Sequence, residues 1–330
     1  MKQVLVTGNK GYVGTVLCKL LKSKNFYVVG VDANWFTSKK QNTKFVDRQI
    51  NLAINNLTSK HLKDIDYIVH LAAISNDPMS EKFKKETYKI NLYQSKNFYN
   101  LAKNNNIKKF IFASSCSLYG LANQNLKHEN SKCNPLTNYS KTKFLFEKFL
   151  STRKDKVKKI ILRFGTAAGT SENFRLDLAI NNLVFSGLKQ KKIKVMSNGK
   201  PFRPFIDTFD MSKSILFFLQ KKLTKNLDVF NVGINKNNIK IKNLAKIISK
   251  KLKIPYTINN EAADDKRTYK VNFNKFKKNA PTIIKRFKSI EKIVDEVAGF
   301  MKSRKFRLNS ANFRLKHLEK KYLTKNKPLA

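Results

Sequence analysis

The chain has 330 residues, 68 Lys or Arg against 22 Asp or Glu, and a formal net charge of +46. With 41% hydrophobic residues, 25 Phe and only 11 Gly and 7 Pro, it has the material for a packed core, which excludes disorder and collagen-like structure. Cys18, Cys116 and Cys133 stand in no metal-binding spacing and the four His residues form no cluster, so the composition predicts a reducing compartment, the cytoplasm, and no metal.

The N-terminus reaches a glycine turn after one short apolar run, too short for a signal-peptide core. No stretch approaches the roughly 18 apolar residues of a membrane helix, so no membrane partner is expected. Short apolar runs at 3–7, 27–31, 67–71, 109–114 and 159–163 read as strands. Between them, 13–22, 90–104 and 139–153 have the apolar spacing of helices. Strands with little polarity, alternating with amphipathic helices, predict a doubly wound α/β fold whose parallel sheet is covered on both faces. Past residue 166 the alternation loosens into a helical run over 176–188, strands at 192–195 and 230–232, and a helix near 241–252. The division predicted is 1–165, joined by a returning segment near 200–235, and a smaller α/β domain over 166–330.

Lys is spread along the whole chain, as drift toward Lys, Asn, Ile and Phe would leave it, so the charge predicts no nucleic-acid partner. The local exception is 301–330, with ten Lys or Arg against Glu319 alone. Its apolar residues Phe306, Leu308, Phe313, Leu315, Leu318 and Tyr322 predict a terminal helix docked by one face, its basic face solvated.

The first strand runs into Thr7-Gly8-Asn9-Lys10-Gly11-Tyr12-Val13-Gly14. Glycines at these positions allow a tight turn, bring backbone N–H groups against a pyrophosphate, and let the next helix sit close to the sheet. Asp32, at the end of the second strand, is placed to accept hydrogen bonds from a ribose diol and to repel a 2′-phosphate. The pair predicts a dinucleotide site that prefers NAD to NADP.

Pro135-Leu-Thr-Asn-Tyr139-Ser-Lys-Thr-Lys143 sets a phenol and an ammonium one helical turn apart. The ammonium is expected to lower the phenol pKa and make it a usable base. Ser114-Ser115-Cys116-Ser117-Leu118-Tyr119-Gly120 supplies hydroxyls at the carboxyl end of a strand, where open α/β sheets keep their sites.

Together with Asp66-Tyr-Ile-Val-His70-Leu-Ala-Ala73, Asn91, Arg203-Pro-Phe-Ile-Asp207 and Phe230-Asn-Val-Gly233, these motifs resemble the extended short-chain dehydrogenases/reductases of the NAD-dependent epimerase/dehydratase family. The resemblance implies a Rossmann domain that binds NAD, a C-terminal substrate domain, and a homodimer formed through the helices at 90–104 and 139–153. It implies epimerisation of a nucleoside-diphosphate sugar by transient oxidation of a hydroxyl, C4 foremost. A one-way ketosugar reductase or dehydrogenase, or a catalytically idle RNA-binding member, stands as the alternative. Carried over by residue, Tyr139 is the base, Lys143 binds the nicotinamide ribose and tunes Tyr139, and Ser115 orients the hydroxyl. Gly8, Gly11, Tyr12, Val13, Gly14, Asp32, Leu71, Ala72 and Ala73 join Lys143 at the cofactor, and Asn91 is counted with them as a supporting polar residue behind the site. Arg203 grips the diphosphate, with Arg267 or Lys266 as second cation and Asn182 near the sugar.

The departures also carry expectations. Family dehydratases have Asp-Glu where this chain has Cys116 and Ser117, which disfavours a 4,6-dehydratase. The acid of the adenine pocket aligns with Gln49, leaving Asp47 as a substitute, and Glu261 falls where the second diphosphate arginine belongs. Cys116 reads as a buried filler, His70 as an interior histidine, Trp35 as a loop aromatic near adenine, and Asn181 as a lesser candidate for the sugar.

Overall fold

The computed structural model describes residues 1–37, 44–121, 126–262, 265 and 267–323. Its strands are β1 (Gln3–Thr7), β2 (Tyr27–Val31), β3 (Arg48–Ile50), β4 (Tyr67–His70), β5 (Lys109–Ser115), β6 (Lys158–Phe164), β7 (Thr166–Ala168), β8 (Ile193–Val195), β9 (Phe202–Asp207), β10 (Leu227–Val232), β11 (Asn238–Lys240) and β12 (Tyr256–Ile258). Seven make one all-parallel sheet in the order β10-β6-β5-β4-β1-β2-β3.

Side chains alternate across a strand, and both faces of this sheet are covered. Val4, Val6, Val28, Val69, Ile111 and Ile160 pack against Leu17 and Leu21 of the helix Tyr12–Lys22 and against Ile215 and Phe218 of the helix Thr208–Gln220. Leu5, Val29, Ile68, Phe110, Phe112 and Ile161 meet Phe98 and Ala102 of the helix Ser95–Asn104 and Phe146 and Leu150 of the helix Asn138–Ser151. The doubly wound α/β fold is therefore present, with apolar side chains of its strands buried on both faces of the sheet.

A second core gathers Ile180, Val184, Leu244, Ile248, Ile293 and Val297 from the helices Ala179–Gln190, Ile241–Leu252 and Ile290–Lys302. Beside it lie a three-stranded sheet, β11-β9-β7, and the pair β12-β8. No helix among the described residues is long and apolar enough to cross a membrane.

Three elements differ from expectation. The helix expected over 90–104 opens as a π-turn, Lys89–Gln94, and becomes α-helical only from Ser95, whose hydroxyl donates to the Ile90 carbonyl at 3.0 Å. The helix Thr208–Gln220 escapes periodicity because Ser212 and Ser214 are buried, their hydroxyls donating back to the Thr208 and Asp210 carbonyls at 2.9 and 2.8 Å. The tail is a 3-10 turn Ser310–Asn312, a short helix Arg314–Leu318 and a π-turn Glu319–Leu323 rather than one helix. Leu318 is fully buried, whereas Leu308 is exposed; the Tyr322 side chain lies outside the described residues.

Candidate active site

The turn after β1 is shaped by what it excludes. Gly8 has φ +71° and donates its N–H to the Val31 carbonyl at 2.7 Å. A Cβ on Gly14 would lie 2.1 Å from the Gly8 carbonyl oxygen, so the helix Tyr12–Lys22 begins hard against the turn. Its Gly11 N-cap offers no side chain, which leaves the first N–H groups for an anion. The Asp32 carboxylate accepts from the N–H groups of Lys10 (3.2 Å) and Asn34 (2.8 Å). Burial still raises its pKa against those bonds and the charge of Lys10.

Thr7 Oγ1 accepts from Leu71 and Ala72 N–H, both at 3.2 Å, and so draws 71–73 beside the turn. His70 is buried, bonded through Nδ1 to Thr7 Oγ1 (2.8 Å) and through Nε2 to Ser95 Oγ (2.9 Å). Burial, then Lys143, brings its pKa down to about 3, so it is a neutral interior histidine. Gly8, Gly11, Tyr12, Val13, Gly14, Asp32, Leu71, Ala72 and Ala73 all line one cavity of about 620 Å³, with Trp35 at the same end. The close turn, the carboxylate beyond β2 and this volume fit a dinucleotide.

Further along the same cavity stand Ser115, Tyr139 and Lys143. The helix Asn138–Ser151 starts where it does because Thr137 and Ser140 cap each other: Ser140 N–H donates to Thr137 Oγ1 (3.2 Å) and Thr137 N–H to Ser140 Oγ (3.1 Å). One turn apart, Tyr139 and Lys143 share a face, with Lys143 Nζ 5.8 Å from the Tyr139 ring centroid. Lys143 Nζ donates to the Ala113 carbonyl at 2.8 Å, and burial lowers its pKa to about 7 while Glu147 opposes the fall.

The expected acidic phenol is not what this arrangement gives. Burial and the Asp77 carboxylate push Tyr139 up to about 12, against a Ser115 hydrogen bond and the charge of Arg175. The ammonium that was to lower it is committed to a backbone carbonyl.

Behind the helix, Glu147 accepts from Arg163 Nε (3.1 and 3.0 Å) and from its terminal nitrogen at 2.6 Å, and also from Ser114 Oγ. This buried pair ties the helix to β5 and β6. Cys116 is buried with its Sγ on the Arg163 carbonyl, and burial raises its thiol pKa well above the usual range. Ser117 lines the cavity with a hydroxyl that is buried and makes no hydrogen bond among the described residues.

At the far end, Arg203 and Arg267 line the cavity and share Asp265. Arg203 donates to it at 3.0 Å, Arg267 at 2.8 and 3.0 Å, and Arg267 also reaches Asp77 at 2.7 Å. Asn182 lines the cavity too, its amide donating to the Leu176 carbonyl at 3.0 Å.

Several expected residues lie elsewhere. Asn91 does not line the cavity: the π-turn directs its amide to the backbone of Ile74 (2.8 and 3.0 Å) and to Thr142 (3.3 Å), so it braces two lining segments from behind. Asn181 is buried against Tyr12 and Arg175. Gln49 bonds Asn9, and Asp47 pairs with Lys22 at 2.6 Å, so neither lines the cavity, whereas Leu52, Ala53 and Ile54 do. Glu261 is exposed, and Lys266 lies outside the described residues.

Sequence reasoning missed Asp77, Asp265, Arg175 and Arg314. Arg175 donates to both oxygens of Asp177 (2.9 and 2.7 Å) and to Ser75. Its signal was a charged Arg-Leu-Asp interrupting an apolar run.

The family model of the NAD dependent epimerase/dehydratase family matches residues 4–233. An uncharacterized UDP-glucose epimerase, YtcB, of Bacillus subtilis strain 168 is 32% identical over 234 residues, covering 66% of this chain and 73% of the relative. A UDP-glucose 4-epimerase of Lactobacillus helveticus is 28% identical over 280 residues, covering 78% of this chain and 84% of the relative. Among solved structures, a UDP-glucuronic acid 4-epimerase from Bacillus cereus in complex with UDP-glucuronic acid and NAD superposes with a TM-score of 0.75 at 25% identity, covering 91% of this chain and 99% of that one. UDP-glucuronic acid decarboxylases and an NDP-hexosamine 5,6-dehydratase are also among the matches. The chain thus belongs to the NAD dependent epimerase/dehydratase family and is an enzyme with NAD as its cofactor.

Proposed function

We propose that this enzyme is a nucleotide-sugar epimerase that transiently oxidises a hydroxyl of a nucleoside-diphosphate sugar, at C4. The observation that carries the reading is one continuous cavity in which Ser115, Tyr139 and Lys143 stand between the glycine turn and the Arg203–Asp265–Arg267 group. In this reading residues 1–165 with β10 bind NAD, and 166–330 bind mainly the sugar nucleotide.

When bound, NAD supplies the hydride acceptor, later the donor, and a positive ring whose field favours a phenolate. Tyr139 takes the hydroxyl proton as the carbon is oxidised and returns it when the keto sugar is reduced on its other face. Ser115 donates a hydrogen bond to the same oxygen, and Lys143 holds the nicotinamide ribose. Arg203 and Arg267 exchange Asp265 for the diphosphate, a dianion suited to two guanidinium forks. Cys116, buried with a raised pKa, and the neutral Ser117 offer no acid/base pair for a 4,6-elimination, which supports epimerisation over dehydration.

The test is incubation of purified protein with UDP-glucose, UDP-glucuronic acid and UDP-N-acetylglucosamine without added NAD, read by proton NMR and nicotinamide absorbance. A 4-epimer with no net absorbance change is expected. Accumulated keto sugar with reduced nicotinamide would establish the one-way oxidoreductase instead, and loss of carbon dioxide a decarboxylase. Tyr139→Phe should lower turnover by about 10²- to 10⁴-fold while the bound NAD is kept.

The same reading takes the protein to be a cytoplasmic homodimer paired through the segment 90–104, which is the π-turn Lys89–Gln94 running into the helix Ser95–Asn104, and the helix Asn138–Ser151, where Tyr93 and Leu145 are 58% and 38% exposed. Light scattering should give twice the chain mass, most clearly at high salt, where a net +46 is screened.

A further inference from the structure

Arg314 comes from the tail, yet it is 3% exposed and lines the cavity at its Asp32 end. Its terminal nitrogen donates to Asn173 Oδ1 at 2.6 Å, and its other acceptors are the Phe36 and Asn173 carbonyls at 3.5 Å. The guanidinium lies 4.3 Å from the Phe36 ring centroid. All these partners are neutral, and among the described residues Arg314 forms no salt bridge. Burial, with the charge of Arg175, lowers its pKa to about 9 even though the Asp177 and Asp32 carboxylates favour the cation from beyond hydrogen-bond reach, and a buried cation with no direct counter-ion gains when a negative charge arrives beside it.

Where that charge belongs follows from Asn173. Its Nδ2 donates to the Lys10 carbonyl at 2.5 Å while its Oδ1 accepts from Arg314, so a single amide spaces the guanidinium from the glycine turn. That turn is the pyrophosphate seat of a dinucleotide. The rest of the tail is built to hold Arg314 there. Leu318 is buried among Ile74, Met79, Phe83 and Ile90. Asn312 Nδ2 donates to the Phe174 carbonyl at 2.8 Å, and Lys321 Nζ donates to the Asn34 and Trp35 carbonyls at 3.2 and 3.1 Å.

We infer that Arg314 is a cofactor-binding residue that pairs with the pyrophosphate of NAD beside the glycine turn, and that the tail latches the dinucleotide in place. This rests on NAD as the cofactor and not on the sugar chemistry, so its test reads binding and is blind to whether the enzyme epimerises.

NAD is stripped from the protein, and NAD, ADP and adenosine are titrated calorimetrically into wild type, Arg314→Gln and Arg314→Lys. Loss of a charge-assisted phosphate contact should weaken NAD and ADP by about 10- to 100-fold in Arg314→Gln, leave adenosine unchanged, and be partly restored in Arg314→Lys. ADP binding within about twofold of wild type would overturn the inference. So would equal losses for ADP and adenosine, the mark of a residue that only props Phe36. Wild-type preference for NADP, lost in Arg314→Gln, would instead assign the guanidinium to a 2′-phosphate and overturn it too. If Arg314→Gln fails to fold, wild type against Arg314→Lys gives the same comparison at reduced amplitude. Leu318→Ala, which loosens the anchor without touching the guanidinium, should speed NAD dissociation; an unchanged rate would overturn the latch.

Discussion

The pair Glu147–Arg163 allows a stability prediction whose size follows from burial. Glu147 and Arg163 are 4% and 6% exposed, and the carboxylate takes three contacts from the guanidinium at 2.6–3.1 Å as well as the Ser114 hydroxyl. Removing one partner of such a pair leaves a buried charge, which costs about 3–5 kcal/mol. Arg163 keeps Tyr119 Oη at 3.0 Å and the Glu129 carbonyl at 2.9 Å, so Glu147→Ala belongs at the lower end, about 3 kcal/mol. The exposed pair Lys251–Asp295, at 2.6 Å with side chains 37% and 54% exposed, is the control. Lys251→Ala should change stability by no more than about 0.5 kcal/mol. Urea unfolding followed by circular dichroism compares the two, and Glu147→Ala/Arg163→Met should recover part of the loss because no charge stays buried. A cost for Glu147→Ala no larger than that of Lys251→Ala would refute the reasoning.

Other outcomes follow from single positions. Asp32→Ala removes the carboxylate proposed to face the ribose diol and should weaken NAD by about 10- to 100-fold while narrowing its advantage over NADP, checked by titration of stripped protein. Lys143, at about 7 in the fold against 10.5 ordinarily, is less protonated folded than unfolded between those values. Stability from this group therefore rises with pH across about 7 to 10.5, and the advantage of Lys143→Met in cofactor-free protein should shrink over that window in paired urea melts. A constant difference would contradict the lowered pKa. Phe146, fully buried with its ring 4.7 Å from that of Phe112, should cost about 3–5 kcal/mol as Phe146→Ala. Denaturation under the same conditions measures it.

What the sequence showed was local. β1 and β2 and the helix Ile241–Leu252 stood out because one apolar period runs through each without interruption. The glycine turn and the Tyr139/Lys143 juxtaposition were readable because each is a local spacing, and Asp32 because it directly follows the strand beside the turn. β3 was too short, and the serines of Thr208–Gln220 satisfy themselves within their own helix while looking like surface. Asn91 was expected as a supporting residue behind the site and stands there, but the π-turn that aims its side chain at Ile74, and so keeps it off the cavity wall, is invisible in periodicity. The acidity of Tyr139 was misjudged since spacing gives proximity to Lys143 but neither burial nor Asp77, which arrives from 62 residues upstream. Arg314 carried no signal at all: ten basic residues in the tail look alike until one of them is buried.

The sheet is not finished where its first six strands end. β10 closes the outer side of β6, pairing Leu227–Val232 with Lys159–Phe164 across more than sixty residues of intervening chain. During synthesis the growing polypeptide must therefore carry a bare β6 edge until residue 232 has emerged, and bare edges invite pairing with other chains. A fragment cut at 165 would keep the glycine turn and still be a poor protein, prone to stick to itself, whereas one ending past 232 could bury that edge.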